Sequence, residues 1–172
     1  MWIADQWKEY QIIDTSNGEK VEQWGPYRLI RPDPQVIWDS HKKHEAWTKP
    51  NAQYHRSEKG GGEWEFFDLP DEWSITYGKL TFRLKPFRFK HTGIFPEQAV
   101  NWDWAAQRIR EASRKRSEPI KVLNLFAYTG GATVAAAKAG ARVCHVDAAK
   151  AMIECAKKNA VLSKIDPTLT RY

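Results

Sequence analysis

Three consecutive residues after an apolar run, Thr129, Gly130 and Gly131, have the types and spacing of a turn that holds a nucleotide. The run IKVLNLF (120–126) predicts a strand, and the Ala-rich stretch that begins at Gly131 predicts a helix. Glycine in such a turn lets the backbone bend sharply and lets a ligand approach closely. Asp147 follows the next predicted strand, where a carboxylate can accept hydrogen bonds from ribose hydroxyls. The pattern therefore predicts a nucleoside site beyond the carboxyl ends of two parallel strands.

The spacing of this turn disfavours a dinucleotide. A pyrophosphate requires G-x-G-x-x-G, whereas residues 126–131 read F-A-Y-T-G-G and lack the first glycine. A ligand with an adenosine and an amino-acid tail but no phosphate needs only one close glycine with polar and apolar walls. S-adenosylmethionine is such a ligand, and NAD is the alternative.

The second half of the chain predicts the alternating elements that position this turn. Residues 96–113 carry apolar side chains at helical spacing, at Ala99, Trp102, Ala106, Ile109 and Ala112. RVCHV (142–146) predicts a second strand, and the residues from Ala148 to about Leu162 predict a second helix. TLTRY (168–172) predicts the start of a third strand. Apolar strands that alternate with helices indicate an α/β fold whose parallel sheet is covered on both faces, with Cys144 in the core.

The first hundred residues predict a β-rich region. YQIID (10–14) and KVEQW (20–24) flank Asn17-Gly18, which is a strong hairpin signal. Further strands are predicted at Tyr27–Ile30 and in WEFF, WSITY and KLTFRLK. The polar residues 39–63, which end in three glycines, predict a loop.

The segment KVLNLFAYTGGATVAAAKAGARVCHVDAAKAMIECAKKNA (121–160) resembles the cofactor half of class I S-adenosylmethionine-dependent methyltransferases. It is most similar to the large-subunit ribosomal RNA methyltransferase type, whose first motif is N-L-F-x-Y-T-G-G. HTGIFPEQAVNWDW (91–104) is similar to that family's T-G-x-F-x-D-Q-x-x-N-R segment. Glu97 replaces the family's Asp, and Trp102 stands where its Arg would be.

The resemblance implies S-adenosylmethionine as the cofactor, with the Phe-x-Tyr-Thr-Gly loop around its methionine part. It implies Asp147 on the ribose and Ala148 beside the adenine. For Phe126 and Tyr128, packing in the core is the alternative. The residues implied around the cofactor are Gly93, Phe95, Gln98, Phe126, Ala127, Tyr128, Thr129, Gly130, Asp147 and Ala148.

The resemblance also implies a domain organisation. Residues 1–90 would form a β-rich accessory region, and residues 91–172 the N-terminal part of a Rossmann-like methyltransferase domain, truncated after two βα units. The family's substrate-side motif, Asp or Asn followed by Pro-Pro, does not occur in the sequence, and no catalytic residue is predicted. We therefore expect a fragment that is inactive alone and that self-associates through an exposed sheet edge.

The charge balance favours an anionic partner. Lys and Arg number 27 against 21 Asp and Glu, which gives a net charge of +6 and a pI near 9.3. In KLTFRLKPFRFK, cationic and aromatic residues alternate in a way that suits RNA, and the candidate contacts are Arg83, Lys85, Arg88 and Lys90. A charged strand face in water is the alternative for these four residues. At the level of function, the alternative to a ribosomal RNA methyltransferase is a non-catalytic RNA-binding protein.

Other features of the sequence predict the cellular location of the protein and give no complete metal site. A polar start, the lack of a long apolar stretch and only two cysteines predict a cytoplasmic protein with reduced thiols and no membrane partner. His41 and His44 have H-x-x-H spacing and His55 follows, but no further ligand pattern completes a zinc site, so none is predicted.

Overall fold

The fold, taken from a computed structural model, is described for residues 2–57, 60–87 and 89–172. By their contacts these residues form two units. The first, called the sheet unit below, comprises Trp7–Ile75 and Leu84–Gly93. The second, called the α/β unit, comprises Thr76–Arg83 and Ile94–Tyr172, with the first residues through Gln6.

Five strands in the order β1-β2-β3-β4-β5 build the sheet unit. Neighbouring strands are antiparallel, except that β3 and β4 are parallel. Asn17 and Gly18 have φ values of +52° and +75°, which a two-residue hairpin turn requires, so the predicted β1–β2 hairpin is confirmed. The strands are β1 (Tyr10–Ser16), β2 (Glu19–Trp24), β3 (Tyr27–Pro32), β4 (Ala52–Arg56) and β5 (Gly62–Phe66).

The prediction of a loop over 39–63 is wrong in part. A short 3-10 helix occupies Glu45–Trp47, and β4 lies within the same stretch. The physical reason is that Ala52 and Tyr54 alternate with polar residues and are buried against the neighbouring strands. The glycines belong to the β4–β5 connection, where a Cβ on Gly62 would lie 2.1 Å from the His55 carbonyl oxygen.

A buried ion pair lies within the sheet unit. The Arg31 guanidinium donates to both carboxylate oxygens of Glu22 at 2.6 and 2.8 Å, and Tyr10 donates to the same carboxylate at 2.7 Å. Burial alone would raise the pKa of Glu22, but the charge of Arg31 and these hydrogen bonds hold it below its ordinary value. Glu22 is therefore ionised, and its charge is neutralised by Arg31.

A hairpin of β6 (Trp73–Tyr77) and β7 (Leu80–Leu84) turns at Gly78, as predicted. In β7 the side chains of Leu80, Phe82 and Leu84 are buried, whereas those of Thr81 and Arg83 are half-buried. The predicted alternation of apolar and polar faces in this strand is thus confirmed.

The α/β unit alternates helices with parallel strands in the order β10-β9-β8. The third strand predicted in TLTRY is present as the two residues of β10. The elements are a 3-10 turn (Pro96–Gln98), α1 (Ala99–Ser113), β8 (Lys121–Leu125), α2 (Gly131–Lys138), β9 (Arg142–Val146), α3 (Lys150–Leu162), a 3-10 turn (Pro167–Leu169) and β10 (Thr170–Arg171).

The prediction that this sheet is buried on both faces is wrong. Val143 and His145 are buried on the face that α2 packs against, but Leu123, Leu125 and Val146 are exposed on the other face. The strand register pairs Leu123 with Cys144, so Cys144 also lies on the open face and is only half-buried. The reason is that no helix among the described residues covers this face. Within the same residues, no helix is long and apolar enough to span a bilayer.

Candidate ligand-binding site

The loop that joins β8 to α2 has an unusual backbone. Phe126 and Tyr128 both have φ near +52°, and Gly130 has φ of +83°. The left-handed conformation costs a residue with a Cβ roughly 1–2 kcal/mol, so two such residues in one loop require compensating contacts. Backbone strain of this kind is typical of ligand-binding loops.

Asp147 supplies part of this compensation from the end of β9. Its Oδ2 accepts a hydrogen bond from the Tyr128 amide at 2.7 Å, and its Oδ1 accepts one from the Ala149 amide at 2.9 Å. The Ala127 amide, next to Tyr128, donates to the Val146 carbonyl at 3.0 Å. Each carboxylate oxygen keeps a further acceptor position, so Asp147 can fix the loop and still accept hydrogen bonds from a ligand.

A cleft of about 260 Å³ lies along this loop and is called the loop cleft below. The rings of Phe95 and Tyr128 form one wall, with centroids 5.3 Å apart. The structure therefore brings together most of the predicted cofactor residues from the two sequence segments. The lining residues are Ile94, Phe95, Gln98, Trp102, Asn124, Phe126, Ala127, Tyr128, Thr129, Gly131 and Ala132.

The remaining predicted residues lie outside this lining. Gly130 belongs to the loop but faces Ala156 of α3, and Asp147 and Ala148 follow β9. Gly93 falls in the sheet unit, so its predicted role stays a prediction. Ala148 is exposed, as a residue beside a bound ring can be.

The side chain of Phe126 is 92% exposed. Packing in the core, the alternative for this residue, is therefore wrong. The ring therefore makes little contact with the rest of the loop. Its position on the loop cleft makes it a candidate ligand contact.

Three polar side chains form a chain of hydrogen bonds behind the loop. The Asn124 amide nitrogen donates to Thr133 Oγ1 at 2.8 Å, and Thr133 Oγ1 lies 3.0 Å from His145 Nδ1. Because the Thr133 hydroxyl accepts from Asn124, its own proton is available to donate to Nδ1. The Asn124 carbonyl oxygen accepts no hydrogen bond from the described residues, so it remains available to a ligand in the cleft.

His145 is the buried end of this chain. It is 2% exposed, and its Nε2 has no hydrogen-bond partner among the described residues. Burial lowers the pKa of His145 below its ordinary value of 6.5, although the nearby carboxylate of Asp147 opposes the shift. The imidazole is accordingly neutral at physiological pH, consistent with Nδ1 acting as an acceptor.

Sequence reasoning missed the residues that support the loop from below. A Cβ on Gly131 would lie 2.7 Å from Trp102 Cζ2, and one on Gly130 would lie 2.8 Å from the Cβ of Ala156. Asn159 donates to the Thr129 carbonyl at 2.9 Å and accepts from the Arg83 amide at 2.8 Å. A polar residue amid the apolar positions of the second predicted helix was the available signal for Asn159.

The loop cleft suits a particular class of ligand. No lysine or arginine is among its lining residues, so within the described part of the chain no cationic side chain there would neutralise a pyrophosphate. Aromatic faces and a free carbonyl oxygen instead favour a positively charged group. The site fits a nucleoside that carries a cationic tail and no phosphate.

The predicted RNA contacts are distributed over both units. Arg83 belongs to the α/β unit, whereas Lys85 and Lys90 belong to the sheet unit. The Lys90 ammonium donates to the Pro32 carbonyl at 3.1 Å, and burial lowers its pKa. Arg88 lies outside the described residues.

The histidines considered for a metal have other contacts. His44 Nδ1 accepts from the Ala46 amide at 3.0 Å, and His55 Nε2 lies 2.8 Å from the Glu65 carboxylate. His41 lies 3.3 Å from the carboxylate of Asp39. In the part of the chain that the structure describes, no three potential ligands come together at a metal site.

Comparison with known proteins identifies relatives of this chain. The model of the S-adenosylmethionine-dependent methyltransferase family matches residues 49–168. Ribosomal RNA large subunit methyltransferase I of Aeromonas hydrophila is 37% identical over 82 residues, which are 47% of this chain and 19% of that protein. Ribosomal RNA large subunit methyltransferase K/L of Colwellia psychrerythraea is 27% identical over 149 residues, which are 86% of this chain and 18% of that protein.

A solved structure shows the same fold. The crystal structure of a SAM-dependent methyltransferase from Agrobacterium tumefaciens matches 96% of this chain with a TM-score of 0.86 and 37% identity. The match covers 52% of that chain, so this chain spans about half of the solved structure and about a fifth of the two curated relatives. The predicted fold class, a β-rich region followed by the first half of a Rossmann-like fold, is confirmed.

The packing beneath the loop predicts that alanine destabilises the fold more at Gly130 than at Gly140. Gly130→Ala adds a Cβ at positive φ and places it against Ala156, so we expect a loss of about 2–5 kcal/mol of unfolding free energy. Gly140 also has positive φ (+97°), but a Cβ there meets nothing within 4 Å. Gly140→Ala should therefore cost only about 1–2 kcal/mol. Urea denaturation of both variants measures the difference, and equal losses would contradict the proposed collision.

The buried imidazole predicts a pH dependence of stability. Above pH 6.5 His145 is neutral in both the folded and unfolded chains. As the pH falls below 6.5 the unfolded chain takes up a proton first, so stability should fall by up to about 1.4 kcal/mol per pH unit until the folded pKa is reached. In His145→Gln this decline should be absent, whereas exposed His41→Gln should retain it. Urea titrations at several pH values between 7.5 and 5 test this, and parallel curves for both variants would refute it.

Proposed function

Since the chain belongs to the S-adenosylmethionine-dependent methyltransferase family, we propose that the loop cleft is its cofactor site and that its methyl acceptor is RNA. S-adenosylmethionine is the cofactor of this family, and it combines a nucleoside with a cationic amino-acid tail. That chemistry matches a cleft with aromatic walls and without lysine or arginine.

Each part of the cofactor has a proposed contact. Phe126, Tyr128 and Phe95 would surround the methionine part, where aromatic faces attract a sulfonium. The free carbonyl oxygen of Asn124 would accept from the cofactor's ammonium group. The Asp147 carboxylate would accept from the ribose hydroxyls, and Ala148 would lie beside the adenine. The other residues proposed around the cofactor are Gly93, Gln98, Ala127, Thr129 and Gly130.

The exposed ring of Phe126 is the observation that carries this proposal. Two strained residues and the Asp147 contact fix a loop in which Phe126 lines the cleft and has its ring in solvent rather than in the core, which supports the proposal. The cofactor supplies a methyl group on a positively charged sulfur. The role of the loop is to fix that group, because methyl transfer requires the acceptor to lie in line with the breaking bond.

RNA as the acceptor, and ribosomal RNA in particular, is proposed from the names of the relatives and from charge. Both curated relatives act on large-subunit ribosomal RNA by name, and this chain carries +6. Arg83, Lys85 and Lys90 are the proposed contacts, with Arg88 added from the sequence. We place this function in ribosomal RNA processing in the cytoplasm. A non-catalytic RNA-binding protein is less favoured, because it would not require the loop cleft.

The two predicted regions retain separate roles in this proposal. Residues 1–90 would act as the accessory region and residues 91–172 as the cofactor-binding part. We propose that the 172 residues alone bind the cofactor without turnover, because they lack the family's substrate-side motif. A methylation assay with radiolabelled cofactor and unmodified ribosomal RNA tests this, and sustained turnover would contradict it.

Phe126→Ala should weaken binding of S-adenosylmethionine about tenfold, or ~1.4 kcal/mol, without lowering stability, because the ring contacts the ligand rather than the core. Asp147→Ala should weaken binding and also destabilise the fold, because the Tyr128 amide loses its acceptor. Isothermal titration calorimetry and urea denaturation measure the two effects.

Ile37→Ala is the matched control, since Ile37 is as exposed as Phe126 but lies in the sheet unit. It should change neither affinity nor stability. NAD should not bind to any of these proteins. If Phe126→Ala bound the cofactor with wild-type affinity, the exposed ring of Phe126 would no longer support this proposal.

The open sheet face predicts self-association with a second copy of the chain. Leu123, Leu125 and Val146 are exposed together on it, and β8 is an edge strand in the described sheet. In sedimentation velocity the wild type should therefore form dimers or larger species. Leu123→Lys should shift the chain towards monomer, whereas Val161→Lys, an exposed apolar position on α3, should not. A wild-type monomer at high micromolar concentration would contradict this expectation.

A further inference from the structure

We propose that the sheet unit carries a stacking platform for single-stranded RNA, formed by Phe66 and Phe89 together with Trp64 and bordered by Arg56 and Lys85. The platform rests on the proposed function for its ligand class, since an RNA methyltransferase must hold its acceptor strand. It adds the aromatic contacts and Arg56 to the basic residues that were proposed above as RNA contacts.

Trp64 is the fixed centre of the platform. Its indole nitrogen donates to the carbonyls of Phe87 and Phe89 at 2.9 and 3.1 Å, which holds the segment after β7 against β5. Tyr54 packs edge-on against the Trp64 ring, with centroids 5.4 Å apart. The ring is thus oriented from two sides before any ligand arrives.

Two phenylalanines adjoin Trp64 and remain open to water, Phe66 through its ring and Phe89 through its backbone carbonyl. Phe66 follows Trp64 on the same face of β5, and their rings are within 25° of parallel with centroids 6.3 Å apart. Phe66 is 56% exposed and Phe89 is 61% exposed. Exposed, oriented aromatic rings are the surface on which unpaired bases stack.

The segment that carries Phe89 is anchored to the sheet. The Lys85 amide donates to the Thr92 carbonyl at 3.1 Å, and the Phe87 amide donates to the His91 carbonyl at 3.0 Å. The Lys90 carbonyl accepts from the Arg31 guanidinium at 2.9 Å. These contacts keep Phe89 in place although its ring has little contact with the core.

Two cations neighbour the segments that carry these rings, since Arg56 pairs with Gly62 of β5 and Lys85 precedes the segment of Phe89. The Lys85 ammonium lies 5.6 Å from the centre of the Phe87 ring, and Arg56 is exposed at the end of β4. Among the described residues, no carboxylate lies within ion-pair distance of Arg56, Lys85 or Lys90. The charge of Arg31 is already neutralised by Glu22, so Arg31 is not among the cations available to phosphates.

Strand alternation keeps the acidic residues of β5 away from this face. Glu63 and Glu65 alternate with Trp64 and Phe66, and Glu65 contacts His55 across the strand pair. One face of β5 is therefore aromatic and bordered by cations, while the other face is acidic. A protein partner that bound through apolar contact alone would not need this separation of charge.

The test is fluorescence anisotropy of a labelled single-stranded oligouridylate of about ten nucleotides with the full chain. Phe66→Ala and Phe89→Ala should each weaken binding about tenfold, because each removes one stacked base. Arg56→Ala should reduce the slope of log affinity against log salt by about 0.7, because one phosphate contact is lost. Phe66→Tyr keeps the ring and should bind like the wild type.

Phe67→Ala is the matched control, since Phe67 is the next residue along the chain and is 55% exposed but lies outside the stacked pair. A strand of the same length with abasic sites should bind the wild type and Phe66→Ala equally if the ring stacks on bases. The platform is overturned if the wild type does not bind the oligouridylate. It is also overturned if Phe66→Ala binds no more weakly than Phe67→Ala, or if the abasic strand is equally sensitive to the ring.

Calorimetry with S-adenosylhomocysteine on the same proteins separates this proposal from the proposed function. Cofactor affinity should be unchanged in Phe66→Ala and Phe89→Ala. Ring-dependent RNA binding by a chain that does not bind S-adenosylhomocysteine would support the platform and overturn the cofactor site. Normal binding of S-adenosylhomocysteine, together with RNA binding that does not depend on Phe66 or Phe89, would support the cofactor site and overturn the platform.

Discussion

The hydrogen bond from the Tyr128 amide to the Asp147 carboxylate is the contact on which the loop cleft depends. At 2.7 Å it connects the loop after β8 to the end of β9. Without an acceptor at this point, the left-handed conformations of Phe126 and Tyr128 would lose part of their compensation. The same carboxylate also accepts from the Ala149 amide, which fixes the start of α3. A single side chain thus sets the shape of the loop and offers the acceptor proposed for the ribose.

Close packing beneath the loop also supports that conformation. A Cβ on Gly130 would meet Ala156 of α3, and a Cβ on Gly131 would meet Trp102 of α1. These two helices therefore approach the loop more closely than larger residues would permit. The ring of Trp102 fills this space as a structural support. Behind it, Thr133 connects Asn124 to buried His145. The side chain of Asn124, whose oxygen is the proposed acceptor for the cofactor's ammonium group, is therefore oriented by residues that are not among the lining of the cleft.

Much of this arrangement could be predicted from the sequence, because the signals are local. The Asn17-Gly18 hairpin, the helix from Ala99 and the Gly-Gly turn follow from turn chemistry and from periodicity. The strand at Ala52–Arg56 was missed because its neighbours are polar and only two of its side chains face inward. The open face of β8 could not be predicted either. Apolar strands indicate burial, but whether a helix covers a face depends on contacts between distant residues. The support that Asn159 gives to Thr129 is equally non-local.

The loop cleft and the stacking platform have opposite charge requirements. A sulfonium and an ammonium in one ligand would be repelled by a lysine or arginine in the lining, and the lining contains neither. An RNA strand has the opposite requirement, because its phosphates need cations without nearby carboxylates. Within the sheet unit Glu22 is committed to Arg31, and Glu65 contacts His55, so neither carboxylate opposes Arg56 or Lys85. One chain can therefore offer a neutral aromatic cleft to a cationic cofactor and a basic aromatic surface to an anionic strand, provided that the two charge patterns are built from different residues.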